Sequence, residues 1–283
     1  MNQVSRSVTP IFALLTLLAL APAPAAAQDG SAAPTPESVI GFEPGADYEL
    51  ARFDQVESYF EALAEASDRV RLEQIGTSVQ GRPMLLATIS SAENLENLEE
   101  YREIAARLAT DPDLTEEEAR SLAERGKAVV WIDGGLHATE VAGAQFPPKF
   151  AYRLATEESE EARRIREDVI VLLMPVMNPD GLDIVADWYY EQLGTPFETS
   201  GLPTLYHEYV GHDNNRDWFM LTQPESRAVA DQLWHRWYPQ IVLNHHQTSP
   251  FPGRIFIPPF ADPVNPNIPA MVTTGINLVG THM

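Results

Sequence analysis

The sequence predicts an α/β sandwich built on a mixed, mainly parallel sheet. Apolar runs at 127–133, 169–176 and 240–244 have the length of strands. Segments in which apolar residues recur at helical spacing separate these runs, and an alternation of strands and helices is typical of α/β folds. The run at 169–176 is apolar throughout, as expected for a strand that helices cover on both faces.

Ahead of these strands, the sequence predicts a helix and a hairpin. Apolar residues between 48 and 66 follow helical spacing. Residues 70–75 alternate as a strand does, residues 76–83 contain the glycines and proline of a turn, and residues 84–89 form the returning strand.

Residues 91–126 are charged, and we expect them to form a solvated helical insertion on one side of the sheet. Two helices are predicted, at 95–108 and 115–124. Asp111-Pro112-Asp113 interrupts them, and Thr115 can cap the second helix. This segment offers no chemistry.

The remaining elements follow the strands in turn. The turn 178–181 ends the middle strand, and residues 182–213 are expected to be irregular. The third strand, at 240–244, is expected to be buried. Further helices are predicted at 137–156, 157–167, 224–238 and 270–279.

Residues 1–27 are predicted to be a cleaved secretory signal. Arg6 precedes a short apolar segment at 11–20, and the alanines at 25–27 offer a cleavage site. A membrane-spanning helix needs roughly 20 apolar residues, and two prolines shorten this run, so no membrane anchor is expected. The sequence therefore predicts a secreted or periplasmic protein.

A polar leader without periodicity is predicted at 28–44, and one domain at 45–283. The chain has 283 residues, 44% of them hydrophobic, which is enough to bury a core. It contains no cysteine, so any metal must be held by His, Asp or Glu. The net charge of −22 repels polyanions, and nucleic acid is therefore not an expected partner.

Candidate metal ligands follow the predicted strands. His137 and Glu140 come after the first strand and two glycines, and we expect them to open a helix, where residues three apart turn toward one point. His245 and His246 follow the last strand. Ligands in open α/β sheets bind beyond the carboxyl ends of strands, so two histidines and a carboxylate are expected to share a site.

Two histidines and one glutamate form a ligand set of catalytic zinc, which keeps a fourth position for water. Zinc lowers the pKa of that water and polarises a carbonyl group, and this chemistry suits the hydrolysis of peptide or amide bonds. The reaction also needs a general base and a cationic group for the substrate or the oxyanion.

Over about residues 45–260, the order of motifs resembles that of the zinc carboxypeptidase family, the carboxypeptidase A-like metallopeptidases. The resemblance is carried by the G-x-S-x-x-G-R-P hairpin at 76–83, the H-x-x-E motif at His137-Ala138-Thr139-Glu140, the N-P-D-G motif at 178–181, the N-R pair at Asn215-Arg216 and the strand end Asn244-His245-His246. It implies a three-layer sandwich, which we expect to be incomplete at the C-terminus of this chain.

The resemblance also implies roles for five residues. His137, Glu140 and His246 would hold one Zn²⁺, and His246 is preferred to His245 because it fits the family's D-x-H spacing. Asn215 and Arg216 would bind the free C-terminal carboxylate of a peptide substrate, which the planar guanidinium can hold in two parallel hydrogen bonds. The preferred side chain and the oligomeric state stay open.

Two expected groups have no matching position. The family's oxyanion arginine would lie between the N-P-D-G motif and Arg216, where this chain has no arginine; Arg254 is a candidate replacement. The family's general-base glutamate lies well beyond the third zinc ligand, but residues 247–283 contain no glutamate. We therefore expect a truncated domain that binds zinc and hydrolyses peptides poorly. Thr139, where many digestive members have an arginine, predicts different subsite preferences.

Two alternatives to a carboxypeptidase stay open at this point. A zinc amidohydrolase that deacylates N-acyl amino acids shares the H-x-x-E motif and the later histidine, but it resembles this chain less at the early hairpin. A zinc-binding pseudo-peptidase would bind peptide C-termini without cutting them, and the two missing groups favour it.

Overall fold

The computed structural model describes residues 33–207, 211–261 and 263–283. The predicted signal at 1–27 and the start of the predicted leader lie outside these residues. Within the described part of the chain, none of the helices combines the length and the apolar character that crossing a membrane requires.

The strands of the described residues form one mixed sheet with the order β1-β2-β4-β3-β5. The strands are β1 (Val70–Thr77), β2 (Pro83–Ile89), β3 (Ala128–Asp133), β4 (Val169–Met174) and β5 (Ile241–Asn244). β2 pairs antiparallel with both β1 and β4, whereas β3 pairs parallel with both β4 and β5. The predicted mixed sheet is confirmed, and the parallel part consists of the three strands that precede the candidate site residues.

Helices lie before, between and after the strands. They are α1 (Pro36–Ile40), α2 (Phe53–Ala66), α3 (Ala92–Glu96), α4 (Leu98–Thr110), α5 (Glu116–Arg125), α6 (Ala142–Gln145), α7 (Pro147–Thr156), α8 (Glu160–Asp168), α9 (Pro179–Gln192), α10 (Pro224–Asp231) and α11 (Ala270–His282).

Both faces of the sheet are buried under helices. Trp131 and Leu172 belong to one core cluster together with Trp237, which lies beyond α10. Val171 and Leu173 belong to a second cluster, together with buried residues of α2 and α7. Successive residues of a strand point to opposite faces, so the two clusters lie on opposite sides of the sheet. The predicted sandwich therefore has three layers.

Helices α3 and α4 pack on the same side as Trp131. Leu95 and Leu98 join that cluster, whereas α5 keeps one buried side chain, Leu122. Thr115 caps α5 as predicted, because its hydroxyl accepts from Glu118 N while the Glu118 carboxylate accepts from Thr115 N.

The segment after β4 differs from the prediction. The sequence predicts a turn and then irregular structure, but α9 continues to Gln192. Asn178 Oδ1 accepts from Gly181 N at 2.9 Å, and Pro179 occupies the first turn, where its missing N–H costs nothing. The N-P-D-G motif therefore begins a helix.

Two further predictions about the secondary structure are wrong in detail. The predicted leader contains α1, which Thr35 caps and from which Ile40 packs into the core. β5 is not a buried strand: Ile241 is 43% exposed and Val242 52% exposed. The physical reason is that β5 lies at an edge of the sheet, where it pairs with β3 alone among the described strands.

Candidate metal centre

The H-x-x-E motif lies in a loop after β3 and not at the start of a helix, as the sequence predicts. Glu140 N donates to His137 O at 2.9 Å, and Gly143 N donates to Glu140 O at 3.1 Å. The chain therefore makes two successive turns, at 137–140 and 140–143, and the second leads into α6. A Cβ atom at Gly134 would lie 1.9 Å from Gly143 O. Because Gly134 has no side chain, the loop folds back closely on β3.

Hydrogen bonds fasten this loop to the start of α9. Met177 N donates to Gly134 O at 2.9 Å, and Asn178 N donates to Gly135 O at 3.2 Å. Gly135 has a φ of +69°, which favours glycine. A Cβ atom at Gly181 would lie 2.8 Å from Ala138 Cβ, so this glycine lets α9 approach the motif.

The structure brings the three predicted ligands together. One potential ligand atom from each of His137, Glu140 and His246 can be chosen such that all three lie within 4.8 Å of one another. Glu140 lies between the rings: its Oε1 is 2.8 Å from His137 Nδ1, and its Oε2 is 3.0 Å from His246 Nδ1. Their side chains are 15%, 20% and 35% exposed in chain order. The group is therefore partly shielded and open on one side.

This donor set fits a zinc ion. Each imidazole Nδ1 faces a carboxylate oxygen, and such a hydrogen bond requires a proton on that nitrogen. A divalent cation can take the place of both protons, since metal binding deprotonates its ligands and imidazole nitrogen and carboxylate oxygen are both good zinc donors.

Further contacts orient two of these side chains. Asp213 Oδ1 lies 2.9 Å from His137 Nε2, and Gln247 N donates to Glu140 Oε2 at 2.7 Å. Burial raises the pKa of Asp213, but the hydrogen bonds from His137 and from Asn215 N outweigh it and hold that pKa below its ordinary value. A carboxylate on the outer nitrogen of a histidine fixes the ring and makes it a stronger ligand. Sequence reasoning missed this role of Asp213, for which the only signal was an acid just before the N-R pair.

The two adjacent histidines point to different places. His245 Nδ1 lies 2.9 Å from Asp133 O, and its ring lies 4.8 Å from that of Phe146, whereas His246 faces Glu140. Asp133 itself is buried and accepts from the Trp131 indole at 2.7 Å, and burial raises its pKa to about 6.

Asn215 and Arg216 lie in a single 3₁₀ turn, Asn214–Arg216. Asn215 Nδ2 is 3.3 Å from His246 Nε2, and Trp218 Nε1 donates to Asn215 Oδ1 at 3.0 Å. Arg216 is exposed and donates from Nη1 to Asn215 O at 3.1 Å. Among the residues that the structure describes, no carboxylate lies within ion-pair distance of this guanidinium. Its fork is therefore available beside the candidate ligands.

Asp217 anchors this turn to α10. Its fully buried carboxylate accepts from Gln223 N at 2.9 Å, from Thr222 N at 3.1 Å and from the hydroxyls of Thr222 and Ser226. Burial raises the pKa of Asp217, but these hydrogen bonds outweigh it and lower that pKa well below its ordinary value. The anchor holds the turn in place without using Arg216.

The early hairpin motif contacts the N-P-D-G motif. Asp180 accepts from Ser78 Oγ at 2.6 Å and from Gln80 N at 2.9 Å, and it forms an ion pair with Arg82 at 2.9 Å. Arg82 Nε also donates to Asp183 at 2.7 Å. These two motifs therefore form an internal cross-link between the hairpin turn and α9.

Arg254, the candidate oxyanion group, donates from Nη1 to Thr248 O at 3.2 Å within its own loop. Its proposed role stays a prediction. Among the described carboxylates, Glu140 and Asp213 contact the candidate histidines, so both are already paired with an imidazole nitrogen.

Comparisons with known proteins agree with these motifs. Residues 56–250 match the model of a peptidase family described as zinc carboxypeptidase. A probable carboxypeptidase 2 from Trichophyton verrucosum is 29% identical over 133 residues, which make up 47% of this chain and 21% of that protein. Carboxypeptidase 2 from Trichophyton tonsurans is 29% identical over a match of the same length, which spans 20% of its own length.

Two solved structures that are similar to this chain are a carboxypeptidase and a fibrinolysis inhibitor. The carboxypeptidase A from Helicoverpa armigera aligns with a TM-score of 0.46 at 14% identity, over 75% of this chain and 52% of that one. Thrombin activatable fibrinolysis inhibitor aligns with a TM-score of 0.48 at 19% identity, over 71% of this chain and 48% of that one. Because the family match extends over more than half of the sequence, this chain belongs to the zinc carboxypeptidase family.

Proposed function

We propose that this protein is a secreted or periplasmic zinc carboxypeptidase that removes C-terminal residues from peptides. The observation that carries the proposal is the convergence of His137, Glu140 and His246, whose ligand atoms lie within 4.8 Å. The turn that holds Arg216 supports it, because Asn215 contacts the outer nitrogen of His246.

In this proposal His137, Glu140 and His246 hold one zinc ion. When bound, zinc would lower the pKa of a water molecule and polarise the scissile carbonyl. Asp213 accepts from His137 Nε2 and so leaves Nδ1 as the ligand nitrogen. Gln247 N donates to Glu140 and limits rotation of the carboxylate.

Asn215 and Arg216 bind the terminal carboxylate of the peptide. Arg216 supplies a two-pronged donor that no described carboxylate occupies, and a guanidinium binds a carboxylate in two parallel hydrogen bonds. This arrangement selects substrates with a free C-terminus. The curated relatives named above are carboxypeptidases, which supports this function over deacylation of N-acyl amino acids.

No residue of this chain is assigned as the general base. Glu140 is a proposed ligand, and Asp213 is engaged by His137 and Asn215 N. We therefore expect the 283-residue chain to bind zinc and peptide C-termini with little or no turnover, as a pseudo-peptidase would. Turnover that a chelator abolishes would contradict this expectation and would require another carboxylate as base.

Zinc content and peptide binding test the proposal. We expect one zinc per chain after dialysis, and none in a folded His137→Ala variant. A peptide with a free C-terminus should bind the zinc-loaded chain, and its C-terminal amide should bind about 30-fold more weakly, since the amide loses the charge that Arg216 recognises. Arg216→Lys should weaken peptide binding and Arg227→Lys, at an exposed position, should not. A folded chain without zinc would overturn the proposal.

Export is tested separately. Expressed with its full N-terminus in a bacterial host, the chain should appear outside the cytoplasm and begin at Gln28. A cytoplasmic product that retains residues 1–27 would contradict this part of the proposal and leave the metal chemistry untouched.

A further inference from the structure

A small pocket lies beneath the turn that carries Asn215 and Arg216, and none of the three candidate metal ligands lines it. The residues around it include Leu136, Met177, Asn214, Gln223, Glu225 and Ser226. The pocket therefore lies between the loop after β3, the start of α9 and the start of α10.

Three polar atoms of these residues are buried without a hydrogen-bond partner. They are Asn214 Oδ1, Gln223 Nε2 and Glu225 Oε2, none of which finds a donor or acceptor in the described part of the chain. The side chains of Asn214 and Gln223 belong to residues that are 6% and 5% exposed. Buried polar groups in folded proteins almost always have a partner, and leaving one unpaired is destabilising. Three such atoms, on residues that line one pocket, point to a bound polar molecule.

The size and the polarity of the pocket fit one water molecule. The cavity volume is about 10 Å³, which is about the smallest volume that holds a single water. We infer that one water binds there, accepts from Gln223 Nε2 and donates to Asn214 Oδ1 and Glu225 Oε2. These three hydrogen bonds match the number that buried waters typically make.

A metal cation fits the pocket less well than water does. The Gln223 amide presents a donor nitrogen, which repels a cation, and cations such as Ca²⁺ need six or more oxygen ligands. Direct pairing between the three side chains is also not seen, although Gln223 and Glu225 are two residues apart. Water can donate and accept at once, so it satisfies all three atoms together.

The water would complete a connection between the hairpin and the candidate metal centre. Glu225 Oε1 accepts from Val79 N at 2.9 Å in the hairpin turn. Asn214 Nδ2 donates to Leu136 O at 2.5 Å, one residue before His137. Through the water, Glu225 therefore positions Asn214, and Asn214 joins the turn that holds Arg216 to the loop that holds His137.

A high-resolution crystal structure of the chain tests the inference directly. We expect density for one water within about 3.2 Å of at least two of the three atoms. An empty pocket, a direct hydrogen bond from Gln223 Nε2 to Glu225 Oε2, or a metal ion with contacts near 2.4 Å would overturn it. Nuclear Overhauser effects from water to the Gln223 amide protons give the same answer in solution, and their absence would count against a bound water.

Variants of Glu225 test the connection. Glu225→Leu should remove the water and lower the melting temperature by roughly 5 °C, whereas Glu225→Gln should keep the water and shift the temperature by less than about 2 °C. Asp231→Leu, on the same helix and exposed, is the matched control and should shift it equally little. If Glu225→Leu does not fold, the unmodified chain and Glu225→Gln still decide the question. A Leu variant that melts like the unmodified chain would overturn the connection. None of these measurements requires zinc, so this inference and the proposed function can fail independently.

Discussion

The hairpin cross-link (Ser78, Arg82, Asp180 and Asp183) and the candidate metal centre (His137, Glu140 and His246) both join distant parts of the chain through polar side chains. In the cross-link, Asp180 is 7% exposed, and its charge is matched by that of Arg82. In the metal centre, two histidines face one carboxylate, and the three side chains are 15% to 35% exposed, compared with 20% for Asp183 and 29% for Arg82 in the cross-link.

The two regions differ in whether an external ligand can replace the bonds between their side chains. Arg82 and Asp180 neutralise each other with additional hydrogen bonds, so an external ligand would have to displace a complete network. The bonds of Glu140 to the two Nδ1 atoms can be replaced by a cation, because both nitrogens then keep an interaction. Both regions carry family motifs, yet the cross-link stabilises the fold and the candidate metal centre is suited to bind a cation. Variants that separate stability from zinc affinity test this distinction.

The largest expected effect is on zinc affinity. His246→Ala should weaken zinc binding by at least about 1000-fold, because each protein ligand supplies a large share of the total binding free energy. Its unfolding midpoint without metal should stay close to that of the unmodified chain. His235→Ala, at an exposed position on the chain after α10, is the control. Competition with a chromophoric chelator measures the affinities, and equal values for the two variants would refute the assignment of His246.

The opposite pattern is expected in the cross-link. Asp180→Ala should lower the free energy of unfolding by about 3 kcal/mol, because it leaves the Ser78 hydroxyl proton and Gln80 N without an acceptor and removes one partner of Arg82. Zinc affinity of the folded variant should change little. Asp187→Ala removes an exposed ion pair with Arg52 and should cost less than about 1 kcal/mol. Urea denaturation measures the stability of both variants. If Asp180→Ala lost zinc binding and kept its stability, the proposed contrast between the two regions would be wrong.

Acid should weaken the anchor of the turn Asn214–Arg216. Asp217→Asn is expected to destabilise the chain by about 2 kcal/mol at neutral pH, since an amide cannot accept all the hydrogen bonds of the buried carboxylate. The folded pKa of Asp217 lies below its ordinary value of 3.8, so its contribution is complete above that pH and is lost as the pH falls toward the folded pKa.

The measurement is the difference in unfolding free energy between the unmodified chain and Asp217→Asn across pH. This difference should shrink as the pH falls below about pH 4. A difference that does not shrink there would show that Asp217 is not the stabilising carboxylate.

The smallest expected effect concerns the outer contact of His137. Asp213→Asn should weaken zinc binding by about 10-fold, because the amide still accepts a hydrogen bond but no longer supplies the negative charge. Stability without metal should stay within about 0.5 kcal/mol, since Asp213 is 45% exposed. Asp113→Asn, in the exposed loop before α5, is the control. If Asp213→Asn binds zinc as tightly as the control variant, the contact between Asp213 and His137 does not contribute to zinc binding.

Much of the fold could be predicted because the period of the apolar residues is a local property. The alternation at 70–75 predicts β1, the turn at 76–83 makes 84–89 the returning strand β2, and the continuous run at 169–176 predicts β4. The exposure of β5 could not be predicted, because it depends on which strands pair with it. The loop around His137 was also missed, since it depends on the contact between Gly134 and Gly143 and not on helix propensity.

By itself the sequence determined the α/β class, the absence of cysteine and the residue types that can hold a metal, because composition and spacing are written in the chain. The tertiary structure alone decided which of these residues meet. It placed His246 and not His245 against Glu140, brought Asp213 to His137 and joined Asp180 to Arg82. The physical reason is that a hydrogen bond depends on distance and direction in space, and residues 70 to 110 positions apart acquire these only when the sheet and its loops are packed.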